Sequence, residues 1–266
     1  PYTTLFRSGK LPPEDYVYLA VVGSRKHTAY GKDICEKLIK GLKGYPIIIV
    51  SGLALGIDSI AHRSALSAGL TTLSMPGSGL DKKALYPSSN TNLADEIVEN
   101  GGCMLSEFPP TMKAELYTFP QRNRLMAGIS KATLVIEAAD KSGTLITARM
   151  ALDYNRDVLV VPGSVFSQTS TGTNRLIRQG ATPITNSTEL LEALGFEVKK
   201  EEQTEEEKYK DCGKDEMRII EILAEPMERD DLIRASGMEV AKANALLSIM
   251  EIKELIKEEL GEIRKI

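Results

Sequence analysis

The chain has 266 residues, of which 42% are hydrophobic, with a formal net charge of −4 and no Trp. Its apolar runs are all shorter than the roughly 18 residues of a membrane span, and no charged-then-apolar leader is visible, so we expect a cytoplasmic protein without membrane contact. Two histidines, His27 and His62, and three widely separated cysteines argue against a zinc site or a His-driven catalytic triad. We expect the cysteines to be reduced and structural.

Charge is unevenly distributed along the chain. Residues 1–195 hold 20 Lys and Arg against 17 Asp and Glu, whereas residues 196–266 hold 13 against 20. The first part is therefore mildly basic and the second acidic. This leaves binding of a polyanion possible for the first part and disfavours it for the second.

Short aliphatic runs alternate with segments of helical periodicity through the first part of the chain. The runs predict buried parallel strands at Tyr18–Val22, Ile47–Val50, Thr71–Met75, Cys103–Ser106, Thr133–Glu137 and Val158–Val161. The intervening segments predict helices at Gly31–Leu42, Ile57–Ala68, Asn92–Asn100, Arg124–Ile129 and Leu145–Tyr154. This βαβ alternation indicates an α/β fold with a doubly wound, mostly parallel sheet.

The turn after the first predicted strand reads Gly23-Ser24-Arg25. Gly23 would let the backbone approach an anion, the Ser24 hydroxyl would add a donor, and Arg25 would supply a forked charge for phosphate oxygens. Because the glycines of G-x-G-x-x-G are missing, NAD binding is disfavoured. The alternative is a plain tight turn with a solvated arginine.

The segment after the second predicted strand, Ser51–Asp58, is rich in small residues that permit a close chain crossing. Asp58 could cap the following helix. We interpret His62 as a packed helix residue rather than a catalytic one, because the sequence offers it no nucleophile or carboxylate partner.

Phe119-Pro120-Gln121-Arg122-Asn123-Arg124 precedes an apolar helical segment. Arginines at a helix N-terminus oppose the helix dipole unless an anion lies opposite, which favours a binding role for Arg122 and Arg124. The alternative, internal pairing with Glu107 or Glu137, stays open.

A further anion-binding turn is predicted at Lys141-Ser142-Gly143-Thr144, where small residues open a helix beside a lysine. The layout lacks G-x-x-x-x-G-K-[ST], so ATP hydrolysis is not supported and a phosphodiester fits better. Gly172–Arg175 is expected to open another helix at the same rim.

The remaining chain divides into a charged linker over 196–210 and a small domain over 211–266. Three helices and a two-stranded wing, the winged-helix pattern, are predicted at Glu216–Ala224, Asp230–Ala235, Glu239–Met250, Glu254–Glu258 and Glu262–Ile266.

Motifs in the first part, taken in order, resemble those of the DNA processing protein A family, DprA or Smf. They are Val22–Arg25, Ser51–Asp58 with Ala61-His62, Gly79–Asp81 with Tyr86-Pro87 and Asn90, Ser106-Glu107, Phe119–Arg124, Ser142–Ala148, Val161–Gly163, and Asn174–Ile177 with Gly180-Ala181. The resemblance covers about residues 9–194 and implies that they form an extended Rossmann domain.

The resemblance implies a single-stranded DNA binding protein that loads the RecA recombinase during natural transformation or related homologous recombination. It also implies a homodimer with neither a catalytic activity nor a cofactor. The resemblance implies that DNA phosphates bind at the predicted rim. Phe119 and Tyr86 are the nearest candidates on which DNA bases would stack. The expected DNA-binding residues are Gly23, Ser24, Arg25, Phe119, Arg122, Asn123, Arg124, Lys141, Ser142, Gly143 and Thr144.

Two other functions are considered. A nucleotide phosphoribohydrolase on a similar fold would need a catalytic glutamate after its glycine-rich turn, and Lys141–Thr147 has none. A transcription factor with a ligand-sensing Rossmann domain would need a basic reading head, whereas residues 211–266 hold 9 Lys and Arg against 14 Asp and Glu.

Overall fold

The structure is a computed structural model that describes residues 5–198, 209, 212–223, 225–253, 255–259 and 261–265. The chain divides into two compact units, Pro1–Val198 and Lys199–Ile266. The predicted linker 196–210 lies outside the described residues except for 196–198 and Tyr209. The predicted ends Ala224, Glu254 and Ile266 also lie outside them.

An eight-stranded sheet organises the first unit. Its strands are β1 (Phe6–Gly9), β2 (Val17–Val22), β3 (Ile47–Ser51), β4 (Thr72–Ser74), β5 (Cys103–Ser106), β6 (Ala132–Val135), β7 (Asp157–Val160) and β8 (Thr182–Pro183). The spatial order is β1-β5-β4-β3-β2-β6-β7-β8, and β1 alone runs antiparallel to its neighbour among these strands. The mixed α/β fold with a large, mostly parallel sheet is therefore as predicted.

Among the described residues, six α-helices connect these strands and a seventh follows β8. They are α1 (Ala29–Lys40), α2 (Ile57–Ser67), α3 (Thr91–Glu99), α4 (Thr118–Ile129), α5 (Thr144–Asp153), α6 (Thr171–Arg178) and α7 (Ser187–Ala193). Side chains of α1, α2 and α7 pack against one face of the sheet, and those of α4, α5 and α6 against the other. Burial on both faces explains why the central strands are aliphatic throughout.

The predicted strands are all present, within two residues at each end. Two short edge strands of this unit were not predicted: among the described residues, β1 pairs only with β5, and β8 only with β7. The predicted start of α4 at Arg124 was wrong, since the helix begins at Thr118. Cys35 and Cys103 are buried, free thiols, and Cys212 is partly buried.

The second unit contains α8 (Lys214–Ile222), α9 (Arg229–Ser236) and α10 (Val240–Ile252). A sheet in the order β10-β11-β9 joins β9 (Met227–Glu228), β10 (Ile256–Glu259) and β11 (Glu262–Lys265) antiparallel. The two-residue strand β9 was not predicted. The element order is compatible with a winged helix, which stays a prediction for this unit.

Candidate nucleic-acid interface

The strand order of the large sheet reverses between β2 and β6, which are parallel neighbours. From β2 the chain moves outward in one direction through β3, β4 and β5, and from β6 in the other through β7 and β8. In open α/β sheets the crevice outside the carboxyl ends of the strands at such a switch point is the usual ligand site. An open cleft of about 710 Å³ lies there.

The two predicted anion-binding turns meet in this cleft. Thr144 Oγ1 donates a hydrogen bond to the Gly23 carbonyl at 3.1 Å, which joins the turn after β2 to the start of α5. Both Arg25 and Lys141 line the cleft. The two cations therefore lie on one side of the molecule, as the proposal of a single anion-binding rim requires.

The start of α5 presents the more open backbone. The Ser142 hydroxyl accepts from the Thr144 N–H at 3.2 Å and donates to Thr144 Oγ1. Among the described residues, none accepts a hydrogen bond from the Gly143 N–H, and a Cβ at Gly143 would meet no atom within 4 Å. This N–H and the positive end of α5 are thus available to an anion.

The start of α1 is already occupied by a carboxylate of the protein. Glu137, buried at the end of β6, accepts from the Thr28 N–H at 2.9 Å and from the Thr28 hydroxyl at 2.6 Å. Thr28 in turn caps α1 by accepting from the Gly31 N–H. The dipole of α1 therefore stabilises Glu137, and the turn at Gly23–Arg25 offers an anion its side chain rather than a helix end.

The arginine of that turn is exposed and stacks on an aromatic ring. Its guanidinium carbon lies 5.1 Å from the centroid of the Phe119 ring, and Phe119 contacts Tyr86 with ring centroids 5.8 Å apart. Arg25 forms no ion pair among the described residues. The Ser24 hydroxyl, by contrast, donates a hydrogen bond to the Lys26 carbonyl at 2.8 Å, so its proton is already used within the turn.

Arg122 forms the floor of the cleft rather than its rim. Its guanidinium is buried and donates to the carbonyl oxygens of Gly52, at 2.7 Å, and Met75, while Nε donates to Asn123 Oδ1 at 3.0 Å. Burial lowers the pKa of Arg122 to about 10, against the opposing attraction of Asp58. Asn123 is also buried. Both residues are placed to hold the cleft in shape.

Asp58 braces the floor from below. The prediction that Asp58 caps α2 was wrong, since its carboxylate instead accepts a hydrogen bond from the Gly52 N–H at 3.1 Å. Burial raises the pKa of Asp58, and the nearby Arg122 guanidinium opposes that rise. His62 is fully buried, as predicted, with Nδ1 2.7 Å from Thr72 Oγ1, and burial lowers its pKa to about 3.

Arg124 pairs internally with the carboxylate of Glu107, one of the two partners considered from the sequence. Since α4 begins at Thr118, Arg122 and Arg124 lie in its second turn, and the argument from an unfavourable helix dipole does not apply. Of the eleven predicted DNA-binding residues, Arg124 alone does not line the cleft.

Sequence reasoning missed Lys26, Gln168 and Thr169, which line the cleft, and the role of Glu137, which contacts Thr169 but does not itself line the cleft. Lys26 follows Arg25 directly and could have been included on charge alone. Thr169 donates to Glu137 at 3.1 Å, a contact between distant segments that no local pattern signals.

Fold and cleft together define a Rossmann-like protein with an open cleft, lined by Arg25, Lys26 and Lys141, at its switch point. A family model described as DNA recombination-mediator protein A matches residues 1–195. The chain belongs to this family.

Relatives and solved structures agree with the family match. Protein Smf of Escherichia coli strain K12 is 41% identical over 192 residues, which are 72% of this chain and 51% of that protein. DNA processing protein DprA of Streptococcus pneumoniae is 40% identical over 192 residues, 72% of this chain and 67% of that protein. The chain therefore spans about half of the Escherichia coli relative's length.

The X-ray structure of the Streptococcus pneumoniae protein matches with a TM-score of 0.67 at 39% identity, over 71% of this chain and 65% of that one. DNA processing protein A from Helicobacter pylori, solved for its single-stranded DNA binding mode, matches with a TM-score of 0.65 at 32% identity, over 71% of this chain and 86% of that one.

Among the helices of the described ranges, none has the length and hydropathy of a membrane span. Nor do three His, Cys, Asp or Glu side chains converge as metal ligands within that part of the chain.

Proposed function

We propose that the first unit binds single-stranded DNA by its phosphates at the rim formed by Arg25, Lys26, Lys141 and the Gly143 N–H. The observation that carries the proposal is the hydrogen bond from Thr144 to the Gly23 carbonyl, because it brings both anion-facing turns into one cleft. The family and the Helicobacter pylori relative support it. Contacts to phosphate carry no sequence information, so binding should be sequence-tolerant and weaken with salt.

We also propose that the bound strand is a substrate for recombination and is not itself cleaved. The family is described as a recombination mediator, and we therefore expect this protein to help RecA assemble on single strands, in the cytoplasm and as a homodimer. A nucleotide hydrolase is disfavoured because Asp58 is the single carboxylate among the described residues lining the cleft. This carboxylate already accepts a hydrogen bond from the Gly52 N–H.

The acidic second unit is proposed to serve protein contacts rather than duplex reading. Lys242, the one cation of α10 up to Met250, is paired with Asp215 at 2.7 Å. Removal of residues 196–266 should therefore leave affinity for a single strand largely intact. A large loss on that truncation would contradict this assignment.

A fluorescence anisotropy titration tests the main proposal. The full chain is titrated into a labelled oligothymidylate and into a duplex of the same length at two salt concentrations, and we expect preferential binding of the single strand with a steep salt dependence. RecA assembly on the same oligonucleotide is followed with and without the protein. Absence of single-strand binding, or release of base from nucleoside monophosphates, would refute the proposal.

A further inference from the structure

Two tight turns at the carboxyl edge of the large sheet share an unusual construction. Glu115–Thr118 is closed by a hydrogen bond from the Thr118 N–H to the Glu115 carbonyl at 3.0 Å. Ser164–Ser167 is closed in the same way, from the Ser167 N–H to the Ser164 carbonyl at 3.0 Å. Each turn carries an aliphatic residue followed by an aromatic one at its two central positions.

Those central residues are the most exposed large apolar side chains in the described part of the first unit. Leu116 is 89% and Tyr117 61% exposed, and Val165 is 79% and Phe166 95% exposed. Every other such side chain of these residues is at most 55% exposed. Apolar side chains that are this exposed gain no free energy from burial, which points to a binding partner that covers them.

Both turns are held in place by contacts at their bases. The buried Thr118 hydroxyl donates to the Gly77 carbonyl at 2.6 Å. Ser164 Oγ accepts from the Phe166 N–H at 3.3 Å, and the Ser167 hydroxyl contacts Thr169 Oγ1 at 2.9 Å. The tips are therefore presented by a fixed backbone, so that little ordering entropy opposes a contact made there.

The turns adjoin the cleft from its two sides. Tyr117 lies two residues before Phe119, and Phe166 two residues before Gln168, and both Phe119 and Gln168 line the cleft. One turn follows β5 and the other β7, on opposite sides of the boundary between β2 and β6. At about 4.8 Å per strand, these two strands are about 24 Å apart.

Resting on the proposed function, we infer that the two tips stack on unpaired bases of the bound strand where it enters and leaves the cleft. The cations between the tips hold the phosphates, and aromatic groups beside such cations are the usual partners of single-stranded bases. A stacked strand at about 3.4 Å per nucleotide needs about seven nucleotides to cover the distance between β5 and β7.

A protein partner fits these residues less well. A stable protein interface buries about 800 Å² on each partner in one continuous patch. Here two small tips are separated by the charged rim, which is the arrangement that a strand with a charged backbone and apolar bases matches.

The test exploits the absence of tryptophan from the chain. In the Phe166→Trp and Tyr117→Trp variants the introduced indole is the sole one, and stacking on a base should quench its fluorescence when an oligothymidylate of about 12 nucleotides is added. An oligonucleotide of equal length without bases keeps the phosphates and should leave the fluorescence unchanged.

Affinity measurements on alanine variants complete the test. Phe166→Ala and Tyr117→Ala should each weaken oligothymidylate binding about five- to tenfold with an unchanged salt slope, and should not weaken binding of the abasic strand. Tyr154→Ala, which removes an exposed aromatic ring beyond the other end of α5, is the matched control and should bind as the unaltered protein does.

Unchanged affinity of both alanine variants together with unquenched indoles would overturn the inference while leaving the proposed function standing. A change in self-association of these variants, without a change in oligonucleotide affinity, would also overturn it. If the unaltered protein bound no oligonucleotide at all, the proposed function itself would fail.

Discussion

The floor and the rim of the cleft use the same residue types for opposite purposes. On the floor, Arg122 and Asp58 are buried, close to one another and bound to backbone groups. On the rim, Arg25 and Lys141 are exposed and form no ion pair among the described residues. A buried, satisfied charge fixes the shape of a site, whereas an exposed, unpaired charge is free to bind. Four measurements test this division.

The largest effect is expected on the floor. Arg122→Ala removes the partner of a buried carboxylate and leaves the Gly52 and Met75 carbonyls without their donor. The free energy of unfolding should fall by about 3–5 kcal/mol, measured by urea denaturation. Lys43→Ala, an exposed change before β3, should alter it by less than about 0.5 kcal/mol. A small loss for Arg122→Ala would place this arginine on the rim instead.

The pH dependence of stability should come from the fully buried His62. His62 has a folded-state pKa of about 3, below its value of about 6.5 in the unfolded chain. The unfolded state therefore binds the extra proton between these values, and the stability that the neutral ring permits is lost as the pH falls through this window.

The contribution of His62 to the slope should be about 1.4 kcal/mol per pH unit. The free energies of unfolding of the unaltered protein and of His62→Gln are measured by urea denaturation from about pH 4 to about pH 6. Their pH dependences should differ by the uptake of about one proton on unfolding. Asp58 is present in both proteins, and its raised pKa therefore cancels in the comparison. Equal slopes would show that His62 titrates normally.

On the rim, binding should change while stability does not. Arg25→Ala removes an exposed cation beside Phe119 and should weaken single-strand affinity about tenfold, with the salt slope smaller by about 0.7. Lys43→Ala makes the same charge change at the amino edge of the sheet and should leave both quantities unaltered. An identical loss for both variants would indicate a diffuse effect of net charge instead of a contact.

The smallest effect should come from one backbone group. Gly143 has φ −58°, which proline also adopts, so Gly143→Pro removes its N–H without straining that angle. We expect about a fivefold loss of single-strand affinity. Gly143→Ala adds a methyl group in open space and keeps the N–H, so it should bind as glycine does. Equal affinities of the two variants would exclude this N–H from the site.

The sheet was predictable because a strand buried on both faces is aliphatic throughout, as Ile47–Val50 illustrates. It was predictable that the turns after β2 and β6 lie at the same edge of the sheet, since the carboxyl ends of parallel strands share one edge. The edge strand β1 was not, because Phe6–Gly9 is mostly exposed and carries no such pattern.

The division of the cleft residues into floor and rim could not be predicted from the sequence. Arg25 lies in a turn and Arg122 lies near the start of a helix, and nothing in the local sequence shows which of the two is buried. Arg122 is buried because Gly52, from a distant loop, leaves room for it: a Cβ there would lie 2.2 Å from Nη1. Likewise, Glu137 occupies the start of α1 through contacts with residues more than a hundred positions away.

The hydrogen bond between Thr144 and the Gly23 carbonyl has a kinetic consequence. It joins the turns that follow two neighbouring, hydrogen-bonded strands, so the cations on these turns keep a constant spacing before any ligand arrives. Capture of a strand then needs no closing motion, and its rate should be governed by electrostatic attraction during diffusion. Lower ionic strength should accordingly raise the association rate constant more than it lowers the dissociation rate constant.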